Sequence, residues 1–474
     1  MTPDETLPLP LPPGFAPEMA AAHDVPSWVT YLFAGLLVAM IASLALEEKL
    51  HAKKSVIVGV FAIISLFLGS YFGLMPFGEL TLADGHKLSM PVYIPAVDWS
   101  VIAIIVGSGV FVDVTSRSGL FTWIAIKLTK ASRGDPLLLL CFYGGMTVLF
   151  SAVLNNVAAM IIVGSLTAVS LNRLGQNSKL LGFLLVEALL TNVGGLLTLI
   201  SSVPNIIVGK TAGISFMQFF IYAAPFVAVT TLVTLFLGAR MFKIKRLSGD
   251  KQKEEAQALV AGFDENDGIE SRGFFIFGAV ALTGFIITIA AASVLPLIKD
   301  LGMGFVALAF ATLMLLRYKA EADQFYKAVD WDLIGFFMAL FVVINVMEHA
   351  LVLDLIGGGI QWLIGTEEGA RSTGSLLVAA AFFSSVTDNI PLAAMLAKIL
   401  GGMGTETSSP LWWSVIFGAN LGGNLTPIGS ASTLVAVTIM HKHKLKLSFA
   451  DFIKLALPFA VVQIVLATLY VLFM

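Results

Sequence analysis

The sequence predicts an all-α polytopic membrane protein made of two inverted-topology repeats, each with a re-entrant helical hairpin and a broken transmembrane helix. Three observations predict it. The 474 residues are 57% hydrophobic and only 12% charged, where a soluble domain carries about 25% charged residues. Many apolar stretches reach the roughly 20 residues that span a bilayer. Two pairs of polar, Gly- or Pro-broken islands interrupt them at corresponding places, Ser151–Asn156 with Thr191–Thr198 and Ser384–Asn389 with Asn420–Gly429. Paired interruptions of this kind point to a transporter's binding region.

The same composition excludes other classes. The net charge of −3 says nothing about nucleic acid, and no basic cluster is large enough to suggest such a partner. The single cysteine, Cys141, excludes an internal disulfide and a cysteine metal cluster, and reads as a small apolar helix residue. No phosphate-binding Gly-x-x-x-x-Gly-Lys-Ser/Thr run is present, so an ATP-driven pump is not expected. No nucleophile–base pair or His-Glu-x-x-His motif lies in a span, so neither an enzyme nor an organic cofactor is expected.

In chain order, residues 1–26 are Pro-rich and read as a flexible tail. Residues 27–97 hold two spans, Trp28–Leu46 and Ser55–Met75, and an outer loop from Pro76. Residues 98–241 form the first repeat. It has the span Asp98–Thr115, an amphipathic piece to Ser132, and Pro136–Leu171, too long and too interrupted for one helix. That stretch reads as a hairpin turning at Leu154-Asn155-Asn156. Leu180–Val208 is broken at Asn192–Gly195, and Phe216–Met241 is a full span. Residues 242–272 are the hydrophilic cytoplasmic linker, and 273–329 hold two connecting spans, Gly273–Leu295 and Gly304–Leu316. Residues 330–474 repeat the earlier order: the span Asp330–Glu348, an amphipathic piece to Ile364, and a hairpin over Gly374–Leu400. The arms of that hairpin read as about ten residues each, too short to cross alone. Leu411–Met440 follows, broken at Asn420–Asn424, and then Phe449–Met474. Trp412 and Trp413 read as an interfacial aromatic belt.

Charge supports this order. With Glu47–Lys54 in the cytoplasm, the basic segments Lys127–Arg133, Arg173–Lys179, Arg240–Arg272, Arg317–Lys327 and His441–Lys446 fall on the same side. Both termini then lie on the non-cytoplasmic face. Four landmarks recur at nearly one offset. Asp98-Trp99 matches Asp330-Trp331 at 232, Ser151–Asn156 matches Ser384–Asn389 at 233, Asn192–Gly195 matches Asn420–Gly423 at 228, and Phe216–Phe226 matches Phe449–Phe459 at 233.

The islands supply the candidate site. Asp388 is the sharpest residue, because a carboxylate at membrane depth is costly and marks function. Hairpin tips and helix breaks free backbone groups, tolerated at depth only where protein or a water-filled cavity satisfies them. Freed carbonyls with Asn, Thr, Ser and Asp oxygens suit a hard cation, and half-helix N-termini suit an anion. The candidate binding residues are Asn155, Asn156, Asn192, Gly194, Gly195 and Thr198 in the first repeat. In the second they are Thr387, Asp388, Asn389, Asn420, Gly422, Gly423, Asn424 and Thr426. A Na⁺ site is expected at Asp388, Asn389 and Asn420, and Glu187 is a candidate proton relay. The Gly-Gly pairs are expected to supply unusual backbone conformations or close approach.

The runs "SSVTDNIPLAAM", "PLWWSVIFGANLGGNLTPIGSAST" and "VEALLTNVGGLLTLISSVPNIIVG" resemble the ion transporter superfamily. Within it they resemble most the branch of arsenite permeases, sodium–proton antiporters and the pigmentation P protein, with citrate-transporter-like permease domains. The resemblance covers Asp98 to the C-terminus. It implies scaffold helices, transport units of hairpin plus broken helix, an elevator-type mechanism and a homodimer. Two places depart from the branch: Asn155 stands where relatives carry Asp, and the first broken helix reads "LLTLISSVPN" where they carry Gly-Asp before Pro-Pro-Asn. Asp388 is left as the one tip carboxylate.

The reading is an ion-coupled secondary transporter working by alternating access. The expected exchange is Na⁺ against H⁺ with Asp388 as coupling carboxylate. The alternative is a permease for a small anion such as arsenite, a carboxylate or citrate, or chloride, coupled to Na⁺ or H⁺. The expected location is a membrane crossed many times, a bacterial inner membrane ahead of an organelle membrane.

Overall fold

A computed structural model describes residues 25–75, 79–81, 87–320, 322–365, 369–445 and 447–474. The tail expected over residues 1–26 lies, up to residue 24, outside the described residues. The described residues are predominantly helical, and ten of the helices are long and apolar enough to cross a membrane. The chain is an integral, multi-pass membrane protein.

Polar residues in this apolar sequence start the helices. An N-cap side chain takes one of the backbone N–H groups that a helix start leaves unpaired. Asp98 does so for Trp99–Ser116, Asp135 for Pro136–Val153 and Asp330 for Trp331–His349. Asn155 and Asp388 do the same for the second arm of each hairpin. The motif Asp-Trp is used identically twice. The Trp99 and Trp331 indoles each donate to a carbonyl five residues upstream, of Ile94 at 3.1 Å and Tyr326 at 2.9 Å.

Packing sorts the helices into two groups. In one, Trp99–Ser116 lies against Ile298–Leu315, and Lys54–Tyr71 against Trp331–His349. Lys54–Tyr71 precedes Trp99–Ser116 in the chain and Ile298–Leu315 precedes Trp331–His349, so each of these spans packs on the helix that follows the other. In the second group, the first hairpin (Pro136–Val153, Asn156–Arg173) embraces Leu180–Gly194. The second hairpin (Ala370–Val386, Asn389–Gly402) embraces Pro410–Gly422. The outer halves of the broken helices are exchanged: Val203–Thr211 packs on Asn389–Gly402, and Ala431–Lys442 on Asn156–Arg173. Phe216–Met241 and Phe449–Leu472 pack against this second group and each other.

Several expectations need correction. The second hairpin's arms have 17 and 14 residues, because Ala370–Thr373 extends the first arm below the purely apolar run. The helix breaks run over Gly195–Ser202 and Gly423–Ser430, so Asn192 and Asn420 sit in the last helical turn before them. The loop after the second span adds a small antiparallel pair, Glu79–Thr81 with Lys87–Ser89, to an otherwise helical fold. Ile298–Leu315 begins earlier than the hydropathy suggests and is kinked at Gly302, where φ is 77°. Trp412 and Trp413 are buried, Trp413 against Phe219, Tyr222 and Phe417, and form core rather than an interfacial belt. The linker holds a helix, Asp250–Ala261. Beyond it, Glu265 pairs with Lys127 and Lys130, and Phe263 lies under the Arg173 guanidinium at 4.7 Å.

Candidate functional site

Each hairpin is fastened to its broken helix by the same two bonds. Before the break, Ser151 Oγ donates to the Thr191 carbonyl at 2.6 Å, and Ser384 Oγ to the Ala419 carbonyl at 2.5 Å. After the break, Thr198 Oγ1 donates to the Ala152 carbonyl at 2.5 Å, and Thr426 Oγ1 to the Ser385 carbonyl at 2.6 Å. The hydroxyl protons of Thr198 and Thr426 thus hold the hairpins.

The Gly-Gly pairs act by size. Gly195 and Gly423 both have φ −59°, a conformation any residue adopts. A Cβ on Gly194 would stand 2.7 Å from Val148 Cα, and one on Gly195 2.6 Å from Asn156 Oδ1. A Cβ on Gly422 would strike the Ala381 carbonyl, and one on Gly423 would stand 2.9 Å from the Gly429 carbonyl. Close approach, not an unusual dihedral, requires glycine here.

The two breaks meet in a buried node of neutral groups. Asn192 Nδ2 donates to Asn424 Oδ1 at 2.8 Å and to Ser430 Oγ at 2.9 Å. In return, Ser202 donates to Asn420 Oδ1 at 2.7 Å. Ser202 and Ser430 lie 228 positions apart, as do Asn192 and Asn420, so these contacts are reciprocal in sequence spacing. Asn420 Nδ2 also donates to Asn205 Oδ1 at 2.9 Å, and Asn424 Nδ2 to Gln463 Oε1 at 2.7 Å. Gln463 donates onward to Thr234 at 3.0 Å. The carbonyls of Gly195 and Thr198, freed by the first break, accept from Ser201 and Asn205. Asn192, Asn420 and Asn424 are wholly buried, and their amides bind one another and their neighbours. Sequence reasoning missed Ser202, Asn205, Ser430 and Gln463; a glutamine inside an apolar span was the signal for Gln463.

The charged part of the site is at the second hairpin tip. Asp388 Oδ1 accepts from the Ile390 N–H at 3.0 Å, while Oδ2 takes the Lys54 ammonium at 2.5 Å. The Asp388 side chain is 12% exposed and that of Lys54 34%, which makes this pair shielded enough to matter. Lys54 lies at the start of Lys54–Tyr71, in the other helix group. Its charge belongs to a basic run that reads in the sequence as a topology signal, which hid its second role. A cavity of about 340 Å³ joins Thr387, Asp388, Glu47, Lys49 and Lys54 to Ser430 at the second break. Thr387 donates to its own helix at Phe383, and Asn389 opens the second arm, partly buried. No hydrogen bond joins Asn389 or Asp388 to Asn420 among the described residues.

The first tip differs. Asn155 is exposed and caps its arm by accepting from Ala158 N–H at 2.7 Å. It faces a cavity that Asp113, Ser116 and Asp330 also line. Asn156 accepts from Ser151 at 2.7 Å and reaches toward Asn192 at 3.4 Å. Glu187 is wholly buried; Oε1 accepts from Thr167 at 2.6 Å and Oε2 has no partner among the described residues. It stands apart from both tips, one turn before Asn192 on the same helix.

Comparison with known proteins agrees with this architecture. The family profile described as citrate transporter (CitMHS) matches residues 36–418. An uncharacterised transporter of Mycobacterium tuberculosis is 30% identical over 79% of this chain and 86% of its own length. The P protein of Homo sapiens is 23% identical over 90% of this chain, which spans 60% of that protein. The crystal structure of the Alcanivorax borkumensis YdaH transporter has the same overall fold, with a TM-score of 0.51 at 10% identity, over 94% of this chain and 97% of that one.

Proposed function

Since the chain belongs to the citrate transporter family, we propose that it is an ion-coupled secondary transporter working by alternating access, with Asp388 as the coupling carboxylate. The observation that carries this reading is the cavity at the second hairpin tip. There a shielded carboxylate on the hairpin faces a cation on the other helix group. The division into two groups supports an elevator-type cycle, in which the hairpin and broken-helix group moves against the scaffold. The recurrent element order and the reciprocal Ser202–Asn420 and Ser430–Asn192 bonds support inverted repeats with both termini non-cytoplasmic. Cysteines at Asn177 and Thr405 are then labelled from opposite faces of the membrane; labelling from one face rejects that topology.

Na⁺ against H⁺ is the favoured exchange, because the one tip carboxylate binds either ion. The Na⁺ ligands proposed are Asp388 and Asn389, with Thr387 beside them. Glu187 remains a proton-relay candidate through its unpartnered oxygen. A second reading, a small anion such as citrate, another carboxylate, arsenite or chloride, is favoured by Lys49 and Lys54 lining the same cavity. The proposal includes a homodimeric assembly in a bacterial inner membrane.

The test is transport in proteoliposomes loaded with a pH-sensitive dye, with wild type beside Asp388→Asn. A Na⁺-driven pH change lost in the variant supports exchange at Asp388. No Na⁺ response, with an anion-dependent one in its place, moves the protein to the anion reading.

A further inference from the structure

Asp388 does not wait empty for a cation. Oδ1 accepts the Ile390 N–H that it caps, and the Lys54 ammonium occupies Oδ2, the oxygen that caps nothing. Lys54 is not part of the hairpin group. It opens Lys54–Tyr71, whose first turn is fixed to Trp331–His349 by Asp332, which accepts from both the N–H and the hydroxyl of Ser55. The lysine is thus anchored to one helix group while its charge is spent on the other. A second carboxylate, Glu47, lies 3.9 Å from the same ammonium. The lysine therefore has an alternative seat within reach of its flexible stem.

We propose that Lys54 is a tethered competitor for the coupling cation. Its ammonium takes the place at Asp388 that the transported cation takes, so pairing with Lys54 and binding of the cation exclude each other. When the cation binds, the ammonium turns to Glu47. When Lys54 returns, it expels the cation into the cavity. The pair also blocks idle cycling. Moving the hairpin group away from Lys54 with Asp388 charged and empty strands a shielded carboxylate, which is strongly unfavourable. A bound cation or proton removes that obstacle. This rests on the cation-coupled reading above.

The two carboxylates around one lysine give opposite signs that a merely structural lysine does not. A competitor that holds Asp388 nine-tenths of the time weakens apparent cation affinity about tenfold. Lys54→Gln is therefore expected to bind Na⁺ about tenfold more tightly than wild type, and Glu47→Gln, which removes the alternative seat, more weakly. Lys54→Arg keeps a competitor and stays near wild type. The measurement is thermal stabilisation of the purified full-length protein by NaCl at alkaline pH, with choline chloride as control, since a ligand of the folded state raises its stability with concentration. Leak of Na⁺ down its gradient without counter-transport is read in parallel and is expected to rise in Lys54→Gln. Unchanged or weaker Na⁺ binding in Lys54→Gln overturns the proposal. Should that variant not fold, unchanged or tighter binding in Glu47→Gln overturns it alone. Absence of any Na⁺ effect on wild type, in stability and in transport, overturns the cation-coupled reading and this proposal with it.

Discussion

Thr198 and Thr426, 228 positions apart, make one and the same hydrogen bond, each closing the far side of a helix break onto the hairpin beside it. The bond uses the hydroxyl proton and leaves the oxygen lone pairs open, and it gives a structural reason why a threonine recurs there. Without it the Ala152 and Ser385 carbonyls lose a buried donor. Thr198→Val and Thr426→Val are each expected to destabilise the protein by about 1–3 kcal/mol. Transport per folded molecule should retain the wild-type ion dependence. A denaturation series beside an uptake assay checks this; a lost ion dependence in a stable variant returns the threonines to the binding site.

Gly422 and Gly194 are expected to tolerate no side chain. Alanine at Gly422 puts a Cβ against the Ala381 carbonyl, and at Gly194 2.7 Å from Val148 Cα, both backbone atoms that a rotamer change does not relieve. Overpacking of this kind costs about 1–3 kcal/mol. Gly35→Ala, where nothing lies within 4 Å, is the control and should be neutral or slightly stabilising. Equal melting temperatures in all three would reject close approach as the reason for the glycine pairs.

Asn155→Asp restores a carboxylate at the first tip without harming the cap, since Asp and Asn cap equally well. The new charge faces the cavity shared with Asp113 and Asp330. A second cation per cycle is the expected result, read as a changed ratio of ion to proton flux. An unchanged ratio would make the first tip structural.

Glu187 separates a relay from a strut by comparison with its partner. Glu187→Gln keeps an oxygen for Thr167 but carries no proton, whereas Thr167→Val removes the bond and keeps the acid. Loss of the pH dependence of transport in Glu187→Gln alone is expected of a relay. The same phenotype in both variants would mean that the bond, not the proton, matters.

Glu265 predicts how the linker responds to acid. Hydrogen bonds from Lys127 and Lys130 hold its carboxyl down from the ordinary 4.5 to about 2. A group held down in the folded protein contributes fully above its ordinary value and is lost as pH falls through the lowered one. Docking of the linker should therefore be unchanged from neutral pH to about 5 and weaken only toward pH 2. Hydrogen exchange over residues 250–270 reads this out; Glu265→Gln should speed exchange there at neutral pH. Equal exchange in variant and wild type would show that Phe263 under Arg173 suffices.

The sequence by itself determined the membrane class, the order of spans, the hairpins and the broken helices. Those follow from hydropathy, from breaks and from spacing, which are local and survive without coordinates. Asp388 stood out for the same reason, since a lone carboxylate in an apolar run is conspicuous in one dimension. Only the tertiary structure decided what these residues touch. That Thr198 and Thr426 also tie each hairpin to its broken helix is seen only in the packing. Trp412 and Trp413 read as interfacial because hydropathy does not know which face a helix buries. Lys54 read as a topology signal, and its pairing with Asp388 joins residues 334 positions apart. A contact of that span is set by how two helix groups pack, and no local pattern of residues encodes it.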